Sequence, residues 1–207
     1  MRTLVIDTAT AACSGALIED GRVVAGFHEV VGRGHAERLL PLIAAMPDGG
    51  RAEAVLVDCG PGSFTGVRVG LAAAIGLGIG WSVPVRGYTS TALVAAAAFA
   101  DDPALAEIAV VLEGGHGEVF MHAFDRTLAD LMPLASLRPE AALAVLDGRP
   151  AVGSGARYLQ ALDPALNARD ALPDAARAAL LPAARAALPV RPIYGRAPDA
   201  KPAAPRA

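Results

Sequence analysis

Much of what would announce a chemistry is missing from this chain. Its two cysteines, Cys13 and Cys59, have no metal-type spacing and suggest a reducing compartment. Lysine occurs once, at Lys201, in a chain rich in alanine and arginine, a bias that reads as genome composition. Excess positive charge is absent too: the net charge is −3 and the pI about 5.8, which excludes a stand-alone nucleic-acid binder of the usual basic-faced kind. If RNA is involved, a partner supplies the positive charge. The most apolar run, Val69 to Trp81, falls short of the roughly 20 residues a membrane span needs. The N-terminus reaches Asp7 too soon for a signal peptide. With 54% hydrophobic and 19% charged residues, the chain is expected to be globular, soluble and cytoplasmic.

Catalytic signatures are equally scarce. The four histidines, His28, His35, His116 and His122, include no pair four apart, as two ligands on one helix would be. His116 and His122 have the even spacing of one strand face, but His116 falls in a glycine turn. Ser63 stands in Gly-Pro-Gly-Ser-Phe, not in the Gly-x-Ser-x-Gly elbow of a hydrolase. No Gly-Lys-Ser/Thr and no Gly-x-Gly-x-x-Gly is present.

What is present centres on Cys59-Gly60-Pro61-Gly62-Ser63-Phe64-Thr65-Gly66. An apolar strand, Ala54 to Val57, precedes it and a glycine-rich helix candidate, Thr65 to Trp81, follows. Strand, glycine loop and helix start form an arrangement that can hold phosphate on free backbone N–H groups. A tight turn that only begins a buried helix fits the same residues. Ser63 and Thr65 are candidate helix caps.

Periodicity gives a strand at Thr3–Ile6 ending on Asp7, strands at 12–19 and 22–30 joined by an Asp20-Gly21 turn, and a helix from His35 to about Met46 that Pro41 should loosen. A strand at 54–58, the loop and its helix, a short strand at 83–85 and a helix at 90–100 complete a first half. After Asp101-Asp102-Pro103 the pattern restarts: strands at 108–112 and 118–124, a third within 125–134, a helix at 139–146, a strand at 151–153 and a helix at 156–162. An alanine-rich helix interrupted by Pro182 is expected over 173–188. The domains expected are 1–103, 104–190 and a tail at 191–207. Two halves of this kind, the second reduced, have the α/β layout of the duplicated actin-like ATPase fold (ASKHA, RNase H-like), with Asp7 at the end of strand one.

In that layout, Asp7, Thr8, Gly60, Gly62 and Ser63 are candidates for a vestigial nucleotide cleft. The corresponding hairpin of the second half, Glu113 to Gly117, offers glycines but no hydroxyl or basic side chain. Asp58 reads equally well as a loop cap. Gly66, Gly70 and Ala74 recur at spacing four, as do Gly76 and Gly80. Each such glycine costs a helix about 1 kcal/mol, which is understandable where another backbone packs closely, inside the chain or in a partner.

The strings Ile6-Asp7-Thr8-Ala9-Thr10, His35-Ala36-Glu37-Arg38-Leu39-Leu40-Pro41 and Gly60-Pro61-Gly62-Ser63-Phe64-Thr65-Gly66-Val67-Arg68-Val69-Gly70 together closely resemble the TsaB (YeaZ) family. Gly117-Glu118-Val119-Phe120 and Pro192-Ile193-Tyr194 match two further family strings. The resemblance is dense to about Asp125 and thinner beyond. It implies a bacterial cytosolic subunit that does no chemistry and needs no cofactor, though weak nucleotide binding stays open. Such a subunit pairs with the catalytic subunit TsaD and, with the ATPase TsaE, supports threonylcarbamoyl transfer to an adenosine beside the tRNA anticodon. It meets tRNA only through that complex and forms a homodimer when the partner is absent. The resemblance also points to the 35–46 and 65–81 helices as the docking surface, with Arg33, His35, Glu37, Leu39, Leu40, Val67, Arg68, Gly70, Leu71 and Ala74 as interface candidates. Where the family has Asp-Ala-Arg, this chain has Glu113-Gly114-Gly115. The alternatives are a small active ATPase or phosphotransferase of the same fold and a self-contained homodimer with an unrelated binding role.

Overall fold

In the computed structural model, residues 1–196 are described. Two five-stranded sheets form, each built on the same plan. The first comprises β1 (Arg2–Asp7), β2 (Ala12–Glu19), β3 (Arg22–Val30), β4 (Ala54–Asp58) and β5 (Val85–Tyr88), in the order β3-β2-β1-β4-β5. The second comprises β6 (Glu107–Gly115), β7 (Glu118–Asp125), β8 (Asp130–Leu137), β9 (Ala151–Val152) and β10 (Ala168–Arg169), in the order β8-β7-β6-β9-β10. In both, the meander is antiparallel and the last two strands run parallel to the first. This is the duplicated actin-like α/β fold.

Helices α1 (His35–Ala44) and α2 (Phe64–Trp81) cover one face of the first sheet, and α4 (Pro139–Ala144) and α5 (Ala156–Leu162) one face of the second. Between the sheets lies α3 (Ser90–Asp101), apolar almost all round and buried accordingly. Its Leu93 and Phe99 share one core with Val5 and Ala16 of the first sheet and Ile108, Leu112 and Phe124 of the second.

Three expectations shift. The fifth strand begins at Val85, not Val83, and the third strand of the second half runs Asp130–Leu137. The segment 173–188 is not an α-helix. It forms two short 3-10 turns, Ala175–Leu180 and Ala183–Ala186, because Pro182 removes a donor and clashes one turn back. Asp174 caps the first turn, and the Ala175 N–H donates to Ser14 Oγ (3.0 Å), tying the returning chain to β2.

At 18 residues, α2 is long and apolar enough to cross a membrane by length and composition alone. Here one side of it closes on the first sheet. Thr8 Oγ1 donates to the Gly66 carbonyl (2.7 Å), and a Cβ on Gly66 or Gly70 would lie 2.1 Å from the Thr8 carbonyl or 2.6 Å from Thr8 Oγ1. A Cβ on Gly78 would meet Val85 at 2.3 Å. Gly76 and Gly80 face the other way, with no heavy atom within 4 Å of where a Cβ would stand.

The two glycine sets should therefore respond oppositely to the same substitution. Gly66→Ala is expected to destabilise the chain by at least about 2 kcal/mol through overpacking against backbone. Gly76→Ala should stabilise it by about 0.5–1 kcal/mol through helix propensity. Urea unfolding midpoints of the two variants check the pair; equal losses would contradict the assignment of faces.

Candidate functional site

Three places carry chemistry: the cleft between the sheets, the buried acids behind it and the outer face of α1 and α2. The cleft is a cavity of about 530 Å3 walled by Ala9, Thr10, Ser63, Glu113, Arg157 and Asp170, among others. Of the five nucleotide-cleft candidates, only Ser63 reaches this wall. Asp7, Thr8 and Gly60 are buried, and Gly62 lies so close to Ala9 that a Cβ would stand 2.0 Å from the Ala9 carbonyl.

Three of the loop N–H groups are spent inside the fold. Gly60 donates to Asp58 Oδ1 (2.8 Å), Ser63 to the Ala9 carbonyl (2.6 Å) and Gly66 to Ser63 Oγ (3.3 Å). Ser63 is thus the α2 cap, and the loop is a packed turn in which the Gly60, Ser63 and Gly66 amides have acceptors within the chain. Opposite it, Glu113 accepts from Arg157 Nη2 (2.7 Å) and Tyr158 Oη (2.9 Å). The residue standing where the family has Asp-Ala-Arg therefore turns a carboxylate into the cleft.

Asp7 and Asp58 end the adjacent parallel strands β1 and β4, and both are wholly buried. Burial raises both carboxyls above the usual range, and Asp58 well above it, because Asp7's charge adds to the penalty. Tyr88 Oη (2.9 Å) and the Ala9 N–H (3.3 Å) donate to Asp7 and favour its charged form. Ser90 Oγ hydrogen-bonds with Asp58 Oδ2 and lies 3.0 Å from the Pro61 carbonyl. The single Ser90 hydroxyl proton can serve either acceptor, Asp58 Oδ2 or the Pro61 carbonyl. Burial disfavours ionising both acids together, and Asp58, with the Asp7 charge beside it, is the harder of the two to ionise.

His122 is the centre of a relay that sequence spacing did not show. Its Nε2 donates to Asp130 Oδ1 (3.1 Å), its Nδ1 accepts from Thr91 Oγ1 (3.1 Å), and Asp130 also accepts from Arg185 (2.6 Å). Nucleophile, base and orienting acid stand in hydrolase order, yet Thr91 is fully buried in α3. Burial lowers the His122 pKa, Asp130 opposing it, so the ring is neutral and the relay is a polar tie between α3 and the second sheet. His116, the other member of the even-spaced pair, accepts from Arg196 at 3.1 Å. Among the described residues, no group of three or more His, Cys, Asp or Glu could hold a metal ion.

The interface candidates divide by burial. Arg33, Glu37, Leu40 and Arg68 are exposed. His35, Leu39, Val67, Gly70, Leu71 and Ala74 are not, so their side chains cannot meet a partner: they pack in the chain's own first core, with His35 Nε2 3.2 Å from the Ala12 carbonyl. The exposed stripe is a different set. Phe64 (60% exposed), Ile75 (43%) and Ile79 (76%) are exposed on α2 and Leu40 (50%) on α1, and Gly76 and Gly80 leave α2 backbone uncovered.

Two sheets of identical strand order, a central apolar helix and a cleft between them define an actin-like α/β protein. A family model described as TsaD, tRNA N6-adenosine threonylcarbamoyltransferase, matches residues 27–156. The chain is 38% identical over 131 residues to the tRNA threonylcarbamoyladenosine biosynthesis protein TsaB of Escherichia coli, covering 61% of this chain and 56% of that one. It is 34% identical over 212 residues to an uncharacterized protein of Mycobacterium tuberculosis, covering 97% and 94%. The solved structure of YeaZ from Pseudomonas aeruginosa superposes with a TM-score of 0.76 at 27% identity, over 93% of this chain and 99% of that one. The chain belongs to the TsaB (YeaZ) family.

The raised Asp58 carboxyl predicts a pH dependence. A carboxyl whose folded pKa is raised binds its proton more tightly folded than unfolded, so its stabilising contribution is complete below the unfolded value near 3.8 and is lost as pH rises toward the folded value. Asp58→Asn keeps the neutral hydrogen-bonding group and removes the titration. Between pH 5 and 8, the wild type should lose stability relative to Asp58→Asn in urea unfolding; a constant difference would show that Asp58 carries no proton.

Proposed function

We propose that this chain is a non-catalytic subunit of an assembly that forms threonylcarbamoyladenosine in tRNA, docking a TsaD-type catalytic subunit and holding it in a competent shape. The observation that carries the reading is the exposure of Phe64, Ile75 and Ile79 on α2, a helix that also leaves the backbone at Gly76 and Gly80 bare. A helix this apolar leaves half its surface in water only where another surface covers it. The gap left by Gly76 and Gly80 lets a partner helix approach closely. Because the chain itself matches the transferase family model, a TsaD-type partner shares its architecture and presents a comparable helix pair.

The acid pair supports the absence of chemistry in this subunit. Asp7 and Asp58 are enclosed, so neither reaches a nucleophile in the cleft to take its proton. The subunit then works by binding the active conformation of its partner and shifting the population toward it. A TsaE-type ATPase completes the assembly, tRNA is met only through it, and the site of action is the cytoplasm. Without the catalytic subunit, two copies pair through the same stripe.

Mixing the purified chain with its cognate TsaD-type protein should give one co-eluting species at micromolar concentration. Ile79→Asp should weaken that association at least about tenfold while leaving the fold intact, since Ile79 touches no core. Two separate peaks for the wild type, or magnesium-dependent ATP hydrolysis by the isolated chain that Asp7→Ala abolishes, would overturn the reading.

A further inference from the structure

The C-terminal residues return across both halves of the molecule as a strap. Leu188 exchanges backbone hydrogen bonds with Gly87 of β5 (2.8 and 2.9 Å), and the Ile193 N–H donates to the Cys59 carbonyl (2.7 Å). Gly195 then lies against the Phe120 ring, where a Cβ would come within 2.4 Å, and Arg196 donates to Glu118 Oε2 (3.3 Å). Held from both sides, Tyr194 is set down at the first turn of α2. Its ring stacks on Phe64 with centroids 6.1 Å apart, and its hydroxyl accepts from Arg68 Nη2 (2.8 Å). The Arg68 guanidinium carbon sits 3.5 Å above the Phe64 ring.

This cluster differs from the rest of the stripe. Two half-exposed aromatics clamp an exposed arginine in one orientation, so little side-chain freedom remains to be lost on binding. Only one of its N–H groups is used, by an uncharged hydroxyl, and no carboxylate pairs with Arg68 among the described residues. The first turn of α2 contains no acidic residue to offset the positive end of the helix. Phe64 also heads the apolar row that continues through Ile75 and Ile79, which makes the cluster the polar end of that row.

We propose that Phe64, Arg68 and Tyr194 form an anchor at the end of the docking face and take a carboxylate side chain of the TsaD-type subunit, the strap being a required part of that face. The inference rests on the docking role above and adds to it the chemistry of one contact. An arginine fixed between aromatic faces is the kind of group that dominates interface energies, and its fork matches a carboxylate. The net charge of −3 and the continuity with an apolar row favour a protein surface over a nucleic acid here.

Titration calorimetry of the full chain with its cognate TsaD-type protein at two salt concentrations tests the anchor. Arg68→Ala and Tyr194→Ala should each weaken binding at least about tenfold, and Arg68→Ala should also flatten the salt dependence. Arg68→Lys should recover only part of the loss, because a point charge lacks the fork. Urea midpoints close to wild type would show that the exposed cluster is not holding the fold. Binding within twofold of wild type in both alanine variants would overturn the anchor while leaving the docking role standing. So would an unchanged complex with lost self-association, or a loss confined to tRNA binding by the isolated chain. A wild-type chain that does not bind the TsaD-type protein overturns the docking role and the anchor with it.

Discussion

The close approach of α2 to the turn after β1 is the constraint on which the rest of the molecule depends. Thr8 donates its hydroxyl to the Gly66 carbonyl, and Gly66, Gly70 and Gly62 leave room for no side chain between loop, helix and the Thr8–Ala9 backbone. That contact has two consequences. It presses the glycine loop onto Ala9, where the Ser63 amide donates to the Ala9 carbonyl, and Asp7 and Asp58 are buried behind it. It also fixes the rotation of α2, and the remaining apolar side chains are left pointing outward.

Enclosing two carboxylates would be costly if both were charged. The fold offsets this by disfavouring ionisation of both acids at once and by surrounding them with donors. Tyr88 and Ala9 serve Asp7, and Gly60 and Ser90 serve Asp58. The acids at the strand ends thus become a brace for the loop that starts α2. The parallel site in the second half is occupied differently, by Glu113 held between Arg157 and Tyr158. Both walls of the cleft carry polar contacts within the chain, and Phe64, Ile75 and Ile79 leave apolar surface on the outer side of α2.

Much of this was legible in the sequence because local rules carry it. Alternation and the Asp20-Gly21 turn place the first meander, and Ser63 before Phe64 marks the helix start. Tertiary packing hid the rest. The residues 173–188 have the alanine content of a helix, yet two prolines and contacts to β2 and α3 turn them into 3-10 segments. The two-residue strands β9 and β10 exist only by pairing with each other and with β6; β10 is too short to leave a pattern. Spacing four identified both glycine series on α2 but could not rank them, since every neighbour is apolar. The family resemblance names Val67, Gly70, Leu71 and Ala74 as interface, whereas within the chain they are buried on the side of α2 that faces the sheet. The Thr91–His122–Asp130 relay joins residues from three separate elements, so no motif could announce it.

Hydrogen–deuterium exchange of the chain alone, with magnesium-ATP, and with its TsaD-type partner tests most directly whether α2 closes the cleft inward and offers its other face outward. The structure predicts that the partner slows exchange along α1 and α2, while nucleotide leaves the amides of Thr8 to Thr10 and Gly60 to Gly66 unchanged. Nucleotide protection of those loops, with α2 indifferent to the partner, would contradict it.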